Sequence, residues 1–195
     1  VTTKRMYVTG GIGPSGENEG FTTDYDLPNE KAYQETCASI GMMMWNYRMF
    51  KLSGDGRYAD LVEQLLYNAV LPGVSFSGDT FCYVNPLYSS GNAKRYPWFS
   101  VPCCPTNVAR VLPSLGRYIY SRSEDGLWVN LYIQGSLEAE FPDKTKVTLS
   151  QTNNYPWEGN VTFKVGVSGP KEFNINLRIP GWSKGATVKV NGTEV

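Results

Sequence analysis

Two different periodicities divide the chain. Through residues 32–120 the apolar positions recur at helical spacing, and from residue 126 onward they alternate every second position. The run ETCASIGMMMWNYRMFKL predicts a helix from about Ala32 to Leu52, stopped by the turn SGDG. Its Met42–Trp45 block is apolar nearly all round, so this helix is expected to be buried. Leu61, Leu65, Leu66 and Ala69 predict a second helix over about Tyr58–Val70. A third is predicted from Cys104-Pro105 through VARVLPSLGRYIY, where proline suits a first helical turn and Pro113 kinks or interrupts the helix. After SRSEDG come LWVNLYI, SLEAEF, KVTLSQT, NVTFKVGVS, EFNINLRIP and ATVKV, alternating segments separated by turn residues. Their number and spacing predict an antiparallel β-sandwich, giving an α + β multidomain chain with a helical part over 1–122 and a β part over 123–195.

Residues 1–34 fit neither pattern. The stretch GGIGPSGENEGFTTDYDLPNE is loop chemistry, and a loop of that length in a compact protein usually serves a function. At the other end, Asn191-Gly192 is a type I′ hairpin signal with little return strand behind it, so the chain reads as an internal piece of a longer protein.

Composition narrows the chemistry. The 195 residues are 41% hydrophobic, 18% charged and carry a net charge of +0, which gives nucleic acid or an anionic membrane no electrostatic purchase. No apolar run has the roughly 20 residues of a spanning helix. Aromatics make up 13%, suited to stacking on sugars and equally to a β-rich core. Histidine is absent, so acid–base or metal chemistry within this chain must use carboxylates, thiols, tyrosines or lysines.

The thiols are Cys37, Cys82, Cys103 and Cys104. Neighbouring cysteines cannot bridge each other without a strained ring, and a chain of this size needs no disulfide staples. Cys82, in TFCYVN, reads as a small buried hydrophobe. For VPCCPTN the alternative is a metal site, with Cys103 and Cys104 offering two ligands from one turn and Glu35 and Cys37, in QETCAS, two more. A four-cysteine set with Cys82 in place of Glu35 competes with it. A zinc-held thiol is a thiolate at neutral pH and a competent nucleophile. Opposite a carboxylic acid it would reproduce the retaining-glycosidase scheme with sulfur replacing one carboxylate. Glu17, Glu19, Asp24 and Asp26 are the candidate acids, and residue chemistry leaves all four open.

The ordered motifs GGIGPSGENEGF, DYDLPN, ETCAS, EQLLYN, YVN and CCPTN resemble glycoside hydrolase family 127, the zinc-dependent β-L-arabinofuranosidases, over about residues 5–120, and NLRIPGW resembles its following β-sandwich. The resemblance implies the C-terminal part of an (α/α)6 barrel followed by part of a sandwich, in a protein several times longer. It implies Zn2+ held by Glu35, Cys37, Cys103 and Cys104, with Cys82 left out. Cys103 would be the nucleophile and Glu19 the general acid/base, although Asn18 stands where the family commonly has glycine. Glu63 in EQLLYN and Tyr83 in YVN would contact the sugar; read without the family, they are a helix-surface charge and a core tyrosine. The substrate implied is an arabinose-containing oligosaccharide or glycan. A glycosidase for another pentose and a non-catalytic zinc-stabilised carbohydrate-binding module are the competing readings. A reduced thiol–zinc site persists most easily in a reducing cytoplasm.

Overall fold

The structure, a computed structural model, describes residues 1–195 and divides into two compact units, Val1–Pro113 and Ser114–Val195. Each contains what the change of periodicity demands, helices in the first and short sheets in the second.

In the first unit, α1 (Thr36–Ser53) and α2 (Gly56–Leu65) pack against each other across a two-residue connection. Gly54 ends α1 in a left-handed conformation (φ 68°) and its N–H reaches the Phe50 carbonyl at 2.8 Å. Asp55 starts α2 by accepting from the Arg57 N–H at 3.0 Å. A π-helical turn, Leu66–Val70, continues α2 and places Leu66, Ala69 and Val70 inside. The third helix, α3 (Cys103–Val111), gives way to a 3-10 turn at Leu112–Ser114, because Pro113 cannot supply the amide that would extend it.

Three expectations need correction. The first helix begins at Thr36 and not Ala32, because the preceding residues are held outside the helix by bonds to distant loops. The Gln34 N–H donates to the Gly13 carbonyl (2.8 Å), and Gln34 itself takes a left-handed φ of 38°. Of the Met42–Trp45 block, Met42 and Met43 are buried, while Met44 and Trp45 are 43% and 58% exposed. Cys82 lies on no strand; beside it, Phe81 makes two isolated bridges, to Val74 and to Tyr96.

The second unit opens with a single helical turn, α4 (Gly116–Ile119), and then β1 (Tyr120–Arg122), where the pattern of GRYIY predicts helix throughout. The remaining strands are β2 (Gly126–Val129), β3 (Gly135–Glu140), β4 (Lys146–Asn153), β5 (Val161–Val167), β6 (Asn174–Leu177), β7 (Lys189–Val190) and β8 (Thr193–Glu194). They form sheets ordered β1-β2-β6 and β3-β4-β5 and a terminal β7-β8 hairpin. Asn191 and Gly192 both have positive φ (49° and 87°), which is the type I′ geometry that the dipeptide predicts. The pairing is not wholly antiparallel: β6 lies parallel to β2, with Leu127 opposite Ile175. Leu127 and Val129 from β2 join Val147 and Leu149 from β4, with Tyr132 and Phe141, in one buried cluster. No helix is long and apolar enough to cross a membrane.

Candidate metal and thiol site

The N-termini of α1 and α3 converge. Glu35 is the N-cap residue of α1 and Cys37 lies in its first turn; Cys103 and Cys104 open α3. The donor atoms of these four residues all lie within 4.8 Å of one another. Cys104 Sγ is 3.5 Å from Cys37 Sγ, 3.8 Å from Cys103 Sγ and 3.6 Å from Glu35 Oε1, which in turn is 3.4 Å from Cys103 Sγ. All four cysteines are free of disulfides. Helix N-termini favour negative charge, so both helices are oriented to stabilise thiolates and a carboxylate at their meeting point.

Burial opposes that charge. It pushes the Cys37 thiol up to about 11, against smaller opposing hydrogen bonds from Asn107 and Cys104. It drives Cys104, fully buried, well above the ordinary thiol range. A half-buried set of thiols and one carboxylate, with Cys104 fully buried at its centre, is therefore matched to a cation, which favours the anionic forms that burial penalises.

The surrounding loops fix the cluster in place. The Thr36 N–H donates to the Tyr83 carbonyl (3.0 Å) and its hydroxyl to the Cys82 carbonyl (2.8 Å). Asn85 Nδ2 reaches the Gln34 carbonyl and the Thr36 hydroxyl, while Gln34 Nε2 returns a bond to the Asn85 carbonyl at 3.0 Å. Gln34 Oε1 accepts from the Thr9 hydroxyl at 2.7 Å and occupies the space over Gly11, where a Cβ would meet it at 2.1 Å. Residue 11 must be glycine for the loop to approach so closely.

Tyr83 extends from this network to the thiols, its hydroxyl 3.2 Å from Cys103 Sγ. That bond, and burial after it, raises the Tyr83 hydroxyl above its ordinary range. Glu19 is exposed in the 13–20 loop, has a left-handed φ of 51°, and accepts a bond from the Tyr33 hydroxyl at 2.8 Å. Glu63 is buried in α2 at 5% exposure, so it is not a helix-surface charge. Cys82 is outside the four-donor cluster. Cys82→Ser should accordingly leave metal content unchanged in elemental analysis, and loss of the metal would revive the four-cysteine set.

Two further contacting residues take no role from the sequence, although the first, Asn107, closes the CCPTN motif. Asn107 donates its amide to Cys37 Sγ at 3.1 Å; its place four residues after Cys103, on the same helix face, is a usable signal. Tyr33 meets Glu19 only through the folded loop, and no spacing rule marks it.

The model of the GH127 β-L-arabinofuranosidase catalytic domain matches residues 1–117, and that of the GH127 middle domain matches residues 126–195. The chain belongs to glycoside hydrolase family 127. A non-reducing end β-L-arabinofuranosidase of Bifidobacterium longum subsp. longum is 39% identical over 98% of the chain and 31% of its own length. The crystal structure of a GH127 β-L-arabinofuranosidase from Geobacillus stearothermophilus T6 superposes with a TM-score of 0.94 at 45% identity, covering 100% of this chain and 32% of that one. A second solved GH127 β-arabinofuranosidase gives 0.92 at 42% identity, over 98% and 33%. This family 127 chain thus spans about a third of the length of the relatives it matches.

Proposed function

We propose that the chain carries the reactive centre of a retaining glycoside hydrolase that releases β-L-arabinofuranose from arabinose-containing glycans, working within a longer polypeptide. The convergence of Glu35, Cys37, Cys103 and Cys104 in a family 127 catalytic segment carries this reading. In it, residues 1–122 belong to the last part of an (α/α)6 barrel and 123–195 to part of a β-sandwich.

The cofactor is zinc. Three sulfurs and one carboxylate are a zinc donor set, and tetrahedral zinc would separate its ligands by about 3.8 Å between sulfurs and about 3.5 Å between sulfur and oxygen. The separations of 3.5 and 3.8 Å between sulfurs and of 3.4 and 3.6 Å from sulfur to oxygen support that choice. Bound zinc supplies the positive charge that keeps these thiols ionised at neutral pH.

The residues then divide the work. Cys103 Sγ attacks the anomeric carbon while protonated Glu19 gives its proton to the departing glycosidic oxygen, and the carbon–oxygen bond breaks as the carbon–sulfur bond forms. The Glu19 carboxylate next takes a proton from water, whose oxygen attacks the same carbon and releases the Cys103 thiolate. The anomeric configuration is inverted twice and so retained. The Tyr83 hydroxyl, beside Cys103 Sγ, and Glu63 bind sugar hydroxyls.

The test is a panel of nitrophenyl pentosides followed by NMR with the whole enzyme. The β-L-arabinofuranoside should be the substrate turned over fastest, giving β-L-arabinose as first product. Preference for another pentose would reassign the sugar, and an α product would rule out a covalent sulfur intermediate.

A further inference from the structure

We propose that Tyr33 positions Glu19 for its acid–base work, an inference that rests on Glu19 being the acid/base. Tyr33 donates its hydroxyl to Glu19 Oε1 at 2.8 Å. One carboxyl oxygen is thereby held, and the other is the oxygen that exchanges a proton with the glycosidic oxygen and then with water.

Tyr33 is itself fixed at both ends. Its N–H donates to the Pro14 carbonyl (3.3 Å), and its carbonyl accepts from the Asn85 N–H (3.1 Å). Its ring lies over Gly16, where a Cβ would come within 2.8 Å of it, so the glycine opens the space the ring fills. The ring also meets Tyr83 edge to face, with centroids 6.2 Å apart. Tyr83 reaches Cys103 Sγ, so a continuous set of contacts runs from the nucleophile through Tyr83 and Tyr33 to Glu19.

The Glu19 backbone needs this support. Its φ of 51° is unfavourable for a residue with a Cβ, and such conformations persist where surrounding contacts over-determine them. The Ser15–Gly20 bridge closes the loop around Glu19, and the Tyr33 hydroxyl holds its side chain. Tyr33 is thus a positioning residue whose effect on catalysis passes through the carboxyl it orients.

A proton donor matters most when the departing group is a poor one. In the whole enzyme, Tyr33→Phe keeps the ring over Gly16 and removes only the hydroxyl. It should lower kcat/KM for an alkyl β-L-arabinofuranoside on the order of tenfold, the equivalent of one hydrogen bond to a charged group. For the nitrophenyl glycoside, which departs without protonation, the loss should stay below about threefold, and metal content should be unchanged. Glu19→Gln should show the same dependence more strongly, and adding Tyr33→Phe to it should have no further effect. Equal losses on both substrates, or additive losses in the double variant, would overturn the role of Tyr33. Absence of leaving-group dependence in Glu19→Gln alone would instead remove Glu19 as the acid/base.

Discussion

Replacing Cys103 by serine should abolish turnover, lowering kcat by at least about a thousandfold, because removing a nucleophile leaves only binding and electrostatic assistance. A serine hydroxyl is a far weaker acid than a thiol, and no histidine of this chain can serve as its base. The other three donors, Glu35, Cys37 and Cys104, remain within reach of a metal, so the variant should retain metal and most of its thermal stability. That combination of lost rate and kept fold distinguishes a reacting ligand from a purely structural one. Turnover within tenfold of the parent would sink the assignment of Cys103 as nucleophile and leave it a purely structural ligand.

Chelation should act in the opposite way, on fold and rate together. Removing the metal leaves a carboxylate at 8% exposure and a fully buried thiol facing each other without a counter-charge. A metal held by these donors would also join positions 67 apart in sequence, from Cys37 to Cys104, closing a loop that chain entropy otherwise keeps open. The metal-depleted enzyme should therefore lose activity and unfold on the order of 10 °C lower in a thermal scan, both restored by zinc. An unchanged midpoint after verified depletion would mean that the four donors are assembled by packing alone.

The metal candidates are legible in the sequence because each pair is adjacent or nearly so along the chain and opens a helix, which keeps its two donors close together whatever the rest of the fold does. Cys103 and Cys104 need only α3 to begin there, and Glu35 and Cys37 only α1. Contacts made by loops are not legible in that way. The first helix begins four residues later than its apolar pattern implies, since Tyr33 and Gln34 bond to Pro14 and Gly13. The link from Tyr33 to Glu19 depends on the same loop turning back at Gly16. In the second unit, alternation locates β2 to β7, but a period of two encodes which face is buried and not which strand lies alongside. The parallel partnership of β2 with β6 is for that reason invisible in the sequence, and β1 is hidden in a stretch that reads as helix.

That parallel partnership has a consequence for biosynthesis. A ribosome delivers β2 well before β6, with the whole β3-β4-β5 meander emerging between them. Until Asn174–Leu177 arrives, the backbone groups of Gly126–Val129 that β6 will pair stand open on one side of an apolar strand. An open, apolar edge invites pairing with other chains. Release of the nascent protein before residue 177 should therefore yield aggregation, and β6 is the segment that ends the hazard.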